Sequence, residues 1–171
     1  MLRILSQILR TGIVTEPLPA AEESRITVAG ARLEEEVWRR FKRSVTVRYV
    51  DAGSCNACEL EVTAMNNPIY DCERFGIHLT ASPRFADILL VSGPVSRNME
   101  VALKRTYAAI PEPKLVVAVG DCGYNGGIFG CSYASLGSVG NVIPVDVYVH
   151  GCPPRPSDVI NGILKAVRRD L

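Results

Sequence analysis

Four cysteines follow three apolar runs of the chain, each inside a glycine-flanked turn. They are Cys55 and Cys58 after run 45–50, Cys122 after run 115–119, and Cys152 after run 142–149. Thiolates are ligands that zinc and iron–sulfur clusters share. The C-x-x-C pair alone is compatible with a zinc site, a redox dithiol or half of an iron–sulfur site. The positions of the other cysteines must therefore distinguish among these kinds of site.

The apolar runs predict strands, and helical stretches separate some of them. The predicted strands are 45–50, 77–80, 87–91, 115–119 and 142–149, and the predicted helices in this region are 58–65, 99–109 and 157–169. Continuous Val, Leu and Ile runs are typical of strands buried on both faces. Strands that alternate with helices predict a parallel, doubly wound α/β sheet. Ligands bind beyond the carboxyl ends of such strands, so we expect the four thiols to converge there.

The spacing of the four cysteines favours a 4Fe–4S cluster. Structural zinc sites usually combine two short Cys-x-x-Cys pairs, whereas here one pair is joined by two single cysteines on distant loops. A zinc site and unconnected thiols remain open on spacing alone. Four glycines are expected to let backbone N–H groups approach the sulfurs: Gly53, Gly120, Gly123 and Gly151. Cys72 and Cys131 lack this context and are predicted to be small buried hydrophobic side chains.

Length, charge and composition limit the class of protein. With 171 residues, 47% of them hydrophobic, the chain is long enough to close its own core. A net charge of +1 excludes strong capture of nucleic acid by charge alone. No apolar run reaches the length of a spanning helix, and the first residues lack the layout of a secretory signal. We therefore expect a cytoplasmic protein in which the clustered cysteines among the six bind metal rather than form disulfides.

Residues 1–43 are predicted to form an N-terminal extension to an α/β domain over 44–171. Residues 1–10 have the spacing of an amphipathic helix, which either docks on a partner subunit or a membrane edge or is a frayed terminus. Residues 15–24, with two prolines, predict a linker. Residues 31–42 predict a short solvated helix, acidic first and basic last, an order that suits the helix dipole.

The chain resembles the small, cluster-binding subunits of membrane-bound, energy-converting nickel–iron hydrogenases, which are related to the 20 kDa subunit of respiratory complex I. The resemblance covers about residues 44–168 and rests on blocks in the same order: 53–61, 82–93, 120–123 with 126–129, and 144–154. It implies a flavodoxin-like fold and one 4Fe–4S cluster on Cys55, Cys58, Cys122 and Cys152. The C-x-x-C spacing resembles that of the hydrogenase subunits, whereas complex I subunits carry adjacent cysteines at this position.

The resemblance also implies a role and partners. The chain would be an electron-transfer subunit of an oxidoreductase complex, not catalytic alone, beside a large nickel–iron subunit that makes or consumes H₂. A ferredoxin-like two-cluster subunit and membrane-arm subunits would complete the complex, and no nucleic acid is expected. The chain would lie at the cytoplasmic face of the cell membrane, held through its partners. The alternatives are the equivalent subunit of a complex I-like quinone or sulfur reductase, and a zinc-stabilised structural or assembly protein.

Three further side chains beside the cysteines invite a functional interpretation. Glu59 and Glu61 are candidates for a proton relay, although a first-turn carboxylate that serves the helix dipole explains them equally well. His150 is a candidate for coupling protonation to cluster reduction, while a solvated strand-end histidine is the simpler interpretation. The glycines from Gly120 to Gly127 superficially resemble a phosphate-binding loop. They do not match G-x-G-x-x-G, so dinucleotide binding is disfavoured.

Overall fold

A computed structural model of the chain describes residues 2–12 and 20–168. The helices are α1 (Leu2–Thr11), α2 (Ala20–Phe41), α3 (Ala57–Ala64), α4 (Arg97–Ala109), α5 (Gly120–Asn125) and α6 (Pro156–Arg168). The strands are β1 (Val45–Asp51), β2 (Ile77–Leu79), β3 (Ile88–Ser92), β4 (Leu115–Val119) and β5 (Val147–Val149). Short 3-10 turns lie at Cys72–Phe75, Pro83–Phe85 and Val139–Asn141.

The five strands form one sheet in the order β2-β1-β3-β4-β5, and every neighbouring pair is parallel. This is the strand order of flavodoxin-like folds, in which β1 and β3 flank the point where the winding direction reverses. All parallel strands end at the same edge of the sheet. The predicted α/β class and flavodoxin-like arrangement are therefore confirmed.

Both faces of the sheet are covered, as the uninterrupted apolar strands predict. Along β3, Ile88 and Leu90 pack into the core that includes α2, α3 and α6. Leu89 and Val91 pack into the opposite core, to which α4 contributes Leu103. Side chains of successive strand residues point to opposite faces, so a strand between two helical layers needs apolar residues at every position.

The last strand is shorter than its sequence predicts. Strand character was expected over 142–149, but β5 covers only Val147–Val149. Val142 has helical backbone angles and ends a 3-10 turn, and Pro144 has no N–H to give to a ladder. The Asp146 carboxylate accepts a hydrogen bond from the backbone N–H of Val116 (2.7 Å), where a strand residue would offer its carbonyl. The apolar content of the sequence therefore overestimated the length of this strand.

The predicted short solvated helix is a long packed one. Helix α2 has 22 residues, so the expected linker over 15–24 is wrong for 20–24, and residues 15–19 lie outside the described ranges. Leu33 and Val37 are buried against α6. The guanidinium of Arg40 donates to the Val167 carbonyl of α6 (2.8 Å). An i, i+4 apolar pair on an otherwise charged helix is enough to dock it.

Helix α1 has the amphipathic pattern expected of it. Its side chains from Arg3 to Thr11 are exposed, and it makes at most marginal contact with any other described helix or strand. Within residues 2–12 and 20–168, no helix combines the length and the apolar character needed to cross a bilayer.

Candidate metal centre

The loop after β1, which carries Cys55 and Cys58, is braced by its own side chains. The Asp51 carboxylate accepts backbone hydrogen bonds from Gly53 (2.9 Å) and Ser54 (2.7 Å). The Ser54 hydroxyl then accepts one from the backbone of Asn56 (3.1 Å), and Asn56 begins α3 with a φ of 74°. These successive hydrogen bonds fix the course of the loop that carries both cysteines away from β1.

The loop after β3 packs tightly against this cysteine loop although it carries no cysteine. A Cβ on Gly93 would lie 2.5 Å from the Ser54 backbone nitrogen, closer than any real contact. The Ser96 backbone N–H donates to the Ala52 carbonyl (2.8 Å). The β3 loop therefore supports the first cysteine pair from one side.

Helix α5 brings Cys122 next to Cys58. It starts directly at the end of β4, and its first residue, Gly120, has a φ of +84°. A Cβ at Gly120 would lie 2.8 Å from the Cys58 sulfur. A Cβ at Gly127 would lie 2.5 Å from the Cys122 sulfur. Two glycines thus leave the space that two sulfurs occupy.

The loop after β5 is tied to the loop after β4 by a reciprocal pair of hydrogen bonds. The Asp121 backbone N–H donates to the Gly151 carbonyl (2.9 Å), and the Asp121 carboxylate accepts from the Gly151 backbone N–H (3.0 Å). These bonds hold Cys152, the next residue, beside the α5 cysteine. Three loops from β1, β4 and β5 therefore meet at the carboxyl edge of the sheet.

The four thiols are close enough to influence one another. The pKa of the Cys58 thiol is raised to about 11, chiefly by burial and in part by the nearby thiols of Cys122, Cys55 and Cys152. Burial also raises the pKa of Cys122, with added contributions from Cys152 and Cys55. Crowding of thiols opposes ionisation of each one, whereas a bound metal would reverse this and deprotonate its ligands.

The donor set fits an iron–sulfur cluster. Cys58 and Cys122 are buried, while Cys55 and Cys152 are exposed. Within the described residues, no three or more His, Cys, Asp or Glu side chains are arranged to hold a single metal ion. A cubane cluster offers a separate iron atom to each thiolate and so takes sulfurs that surround a volume. Gly120 and Gly127 leave the room that two of these sulfurs need to reach the site.

Of the four glycines expected near the sulfurs, only Gly120 has a cysteine sulfur among the atoms nearest to its Cβ position, and the approach of their backbone N–H groups to the sulfurs stays a prediction. Gly120 faces the Cys58 sulfur, but Gly53 faces the loop after β3 and Gly151 faces Pro154. Gly123 faces Ala118 and Val139 in the apolar core. Gly127, which sequence reasoning did not select, faces the Cys122 sulfur with a φ of +54°. The run Asn125-Gly-Gly was the signal for this turn, since such residues favour left-handed backbone.

The structure places the other candidate residues at the rim of this site. Glu59 and Glu61 lie on α3, half-buried, and two residues apart on a helix they point in different directions. His150 is largely exposed, with its Nδ1 3.6 Å from an Asp121 carboxylate oxygen and its ring edge-on to Tyr124. Proton transfer through these residues stays a prediction.

A tyrosine that sequence reasoning missed lies on the inner side of the site. The hydroxyl of Tyr49 on β1 shares a hydrogen bond with that of Ser92 on β3 (2.5 Å). The pKa of Tyr49 is raised to about 12, chiefly by burial; the hydrogen bond with Ser92 lowers it, and Asp51, Glu59 and Cys58 contribute to the rise. The partner on β3 is distant in sequence, so no local pattern announces this pair.

The two remaining cysteines differ from each other. Cys72 is fully buried, and its thiol donates to the Asn66 side-chain oxygen (2.7 Å), which confirms it as a core residue. Cys131 is exposed, so its predicted burial is wrong. It lies in a loop held by a short backbone bridge to Leu136. The apolar nature of the cysteine side chain did not predict its burial there.

Known proteins resemble this chain over most of its length. The family described as NADH ubiquinone oxidoreductase, 20 kDa subunit, matches residues 55–166. Subunit 7 of formate hydrogenlyase from Escherichia coli is 40% identical over 151 residues, which is 88% of this chain and 58% of that protein. The probable membrane-bound hydrogenase subunit mbhJ from Pyrococcus furiosus is 43% identical over 141 residues, 81% of this chain and 84% of that protein.

A solved structure shares the fold. A chain of the membrane-bound sulfane sulfur reductase, an archaeal respiratory membrane complex, superimposes with a TM-score of 0.65 at 34% identity. The match covers 80% of this chain and 76% of that chain.

Proposed function

Because the chain belongs to the family of the 20 kDa subunit of NADH ubiquinone oxidoreductase, we propose that it is the electron-transfer subunit of a membrane-bound nickel–iron hydrogenase complex. Its relatives are subunits of oxidoreductase complexes, and this chain is one as well. The observation that carries the proposal is the meeting of thiols from three strand ends at one edge of the sheet, in a chain of this family.

Cys55, Cys58, Cys122 and Cys152 would hold one 4Fe–4S cluster. Such a cluster takes up and releases single electrons at a potential set by burial and by hydrogen bonds to its sulfurs. The protein's contribution is positional. The Asp51 turn aims the first pair, Gly120 leaves room for the Cys58 sulfur, and the Asp121–Gly151 bonds bring in the last loop. The exposed Cys55 and Cys152 put one side of the site at the protein surface, where a partner can exchange electrons.

Exposed apolar side chains beside the cysteines support a partner at this surface. We call Tyr124, Ile128, Phe129 and Tyr133 the 124–133 patch; the exposed fraction is 88% for Ile128 and 92% for Tyr133. The backbone of Ile128 lies close enough to the Cys122 sulfur to favour its thiolate, and Tyr124 packs on His150, so the patch borders the site. Large exposed apolar side chains grouped beside a site are typical of protein contacts. A large catalytic subunit would cover them, with a ferredoxin-like two-cluster subunit and membrane-arm subunits in the same complex.

Two alternatives follow from the same observations. The family description names NADH ubiquinone oxidoreductase and the solved relative is a sulfane sulfur reductase, so an equivalent subunit of a quinone or sulfur reductase is the second candidate. The C-x-x-C spacing of Cys55 and Cys58 supports the hydrogenase. A zinc-stabilised structural protein would use the same four thiols without electron transfer.

Purification of the complex through an affinity tag on this chain tests the proposal. We expect a co-purifying large subunit with two C-x-x-C pairs, stoichiometric nickel, and H₂-dependent reduction of a dye. A large subunit without those pairs and without nickel would contradict the hydrogenase and support the quinone or sulfur reductase. Stoichiometric zinc in place of iron would contradict both.

A further inference from the structure

We propose that α1 binds directly to the surface of a bilayer that contains anionic lipids, lying parallel to it. This contact would be made by the chain itself, in addition to any membrane contact through partner subunits. The inference does not rest on the proposed cluster, because lipid binding and cluster content are measured separately.

The apolar face of α1, made of Ile4, Leu5, Ile8 and Leu9, has no cover within the described residues. These side chains are between 56% and 84% exposed. At about 100° per residue they share one side of the helix. Four adjacent aliphatic side chains in water are unfavourable, and each gains free energy on burial in an apolar medium.

The opposite face of α1 carries only positive charge. Arg3 and Arg10 lie on nearly the same line of the helix, and the residues around them, Ser6, Gln7 and Thr11, are uncharged. The helix contains no Asp or Glu. The rest of the chain then has 17 basic against 18 acidic side chains, a net charge of −1. The two arginines of α1 therefore account for the positive sign of the net charge.

This combination favours a bilayer over a protein groove. An amphipathic helix with aliphatic residues on one face and arginines on the other lies in the interface of a membrane, with the arginines among the headgroups. Anionic headgroups complement a helix that has two cations and no acid, and each arginine near such a surface strengthens binding about fivefold. A helix of ten residues is only marginally stable in water, so binding would also stabilise it.

Co-sedimentation of the full chain with vesicles tests the proposal. The full chain should bind vesicles of phosphatidylcholine mixed with phosphatidylglycerol. Its affinity for pure phosphatidylcholine should be lower by about 25-fold, the combined effect of two arginines. Leu9→Gln should weaken binding at least about tenfold, because it removes one aliphatic anchor. The matched variant Ser6→Gln places the same side chain on the polar face and should leave binding within about twofold.

A second measurement tests whether the apolar face itself enters the bilayer, because weaker binding by Leu9→Gln could also come from loss of the helix. In a Trp38→Phe chain, Leu5→Trp places the only tryptophan on the apolar face, since the natural chain has one. Its emission should shift to shorter wavelength with the mixed vesicles and stay unshifted without them. Equal binding by Leu9→Gln and the natural chain, or no shift, would overturn the proposal. The proposal would also be overturned if Leu9→Gln still bound vesicles but no longer bound a second copy of the chain or a partner subunit. The apolar face of α1 would then be a protein contact.

Discussion

Gly120 is the residue on which the geometry of the cysteine site depends most directly. Its φ of +84° lets α5 begin immediately after β4, and its missing side chain leaves room for the Cys58 sulfur. The glycine thus has two roles, one in the backbone and one in space. Substitution with alanine would disturb both, whereas alanine at an open left-handed glycine would disturb only the first.

We predict that Gly120→Ala lowers cluster content by more than half, while Gly130→Ala retains it. Gly130 also has positive φ (55°), but no atom lies within 4 Å of the position that a Cβ would take there. Both variants incur a backbone penalty of about 1–2 kcal/mol. Only Gly120→Ala pushes against a ligand sulfur. Iron and acid-labile sulfide per chain provide the measurement, and equal loss in the two variants would contradict the spatial role.

Cys72 provides a pH-dependent prediction away from the site. Burial raises the pKa of its thiol to about 11, so the reactive thiolate is about a thousandth of the population at pH 8. Because its thiol is buried and its pKa is raised, Cys72 in the folded protein should be alkylated more slowly than the exposed Cys131 at every pH from 7 to 9. Mass spectrometry of iodoacetamide-treated protein measures both rates. Equal rates for the two cysteines in the folded protein would contradict the burial and the raised pKa of Cys72.

At the scale of elements, α2 is a layer of the core rather than an appendage. It is fixed to α6 by the buried Leu33 and Val37, by the Arg40 bond to the Val167 carbonyl, and by an ion pair between Glu36 and Arg168 (3.2 Å). Since α6 also packs on β4 and β5, α2 indirectly supports two of the three strands that carry cysteines.

Leu33→Ala should therefore destabilise the protein by about 2–5 kcal/mol, the usual cost of an emptied core position. Trp38→Ala, on the same helix, removes a larger side chain that is 57% exposed and should cost less than about 1 kcal/mol. Urea denaturation followed by circular dichroism measures both. If the two costs are equal, or their order is reversed, α2 is not docked as described.

The elements that the sequence predicted well are those with a local signal. Run 115–119 matches β4 residue for residue, because a short continuous run of apolar β-branched residues strongly favours a buried strand. The order of the cysteines along such runs also predicted their meeting at one edge. Helix α2 and the short β5 were predicted poorly, since their extents depend on contacts with α6 and β4 that are remote in sequence. The room that Gly120 and Gly127 leave for two sulfurs depends on contacts between distant loops, which residue spacing along the sequence does not predict.

At the scale of the whole molecule, the two ends of the sheet have different roles. The carboxyl edge has the cysteines, the glycines with positive φ beside them and the 124–133 patch. The opposite edge is closed by Arg43, whose guanidinium binds the buried Asp87 carboxylate through two hydrogen bonds. Helix α2 ends near this closed edge, because β1 begins four residues after Phe41.

Loss of partner binding should follow substitution in the 124–133 patch and not elsewhere. Ile128→Ser should reduce co-purification of the large subunit at least about tenfold, because it removes an exposed aliphatic anchor beside Cys122. Trp38→Ser removes an exposed apolar side chain near the opposite edge and should leave co-purification unchanged. Quantitative electrophoresis of the tagged complex measures both. Retention of the large subunit by Ile128→Ser would exclude the patch from the interface.

The central claim, a 4Fe–4S cluster on four cysteines, is tested most directly by anaerobic reconstitution followed by iron and sulfide analysis and electron paramagnetic resonance. The natural chain and Cys131→Ser should each bind about four iron and four sulfide per chain and give a cubane signal on reduction. Cys55→Ser, Cys58→Ser, Cys122→Ser and Cys152→Ser should each lose most of that signal. A full cubane signal in Cys55→Ser, or one zinc and no iron in the natural chain, would contradict the account.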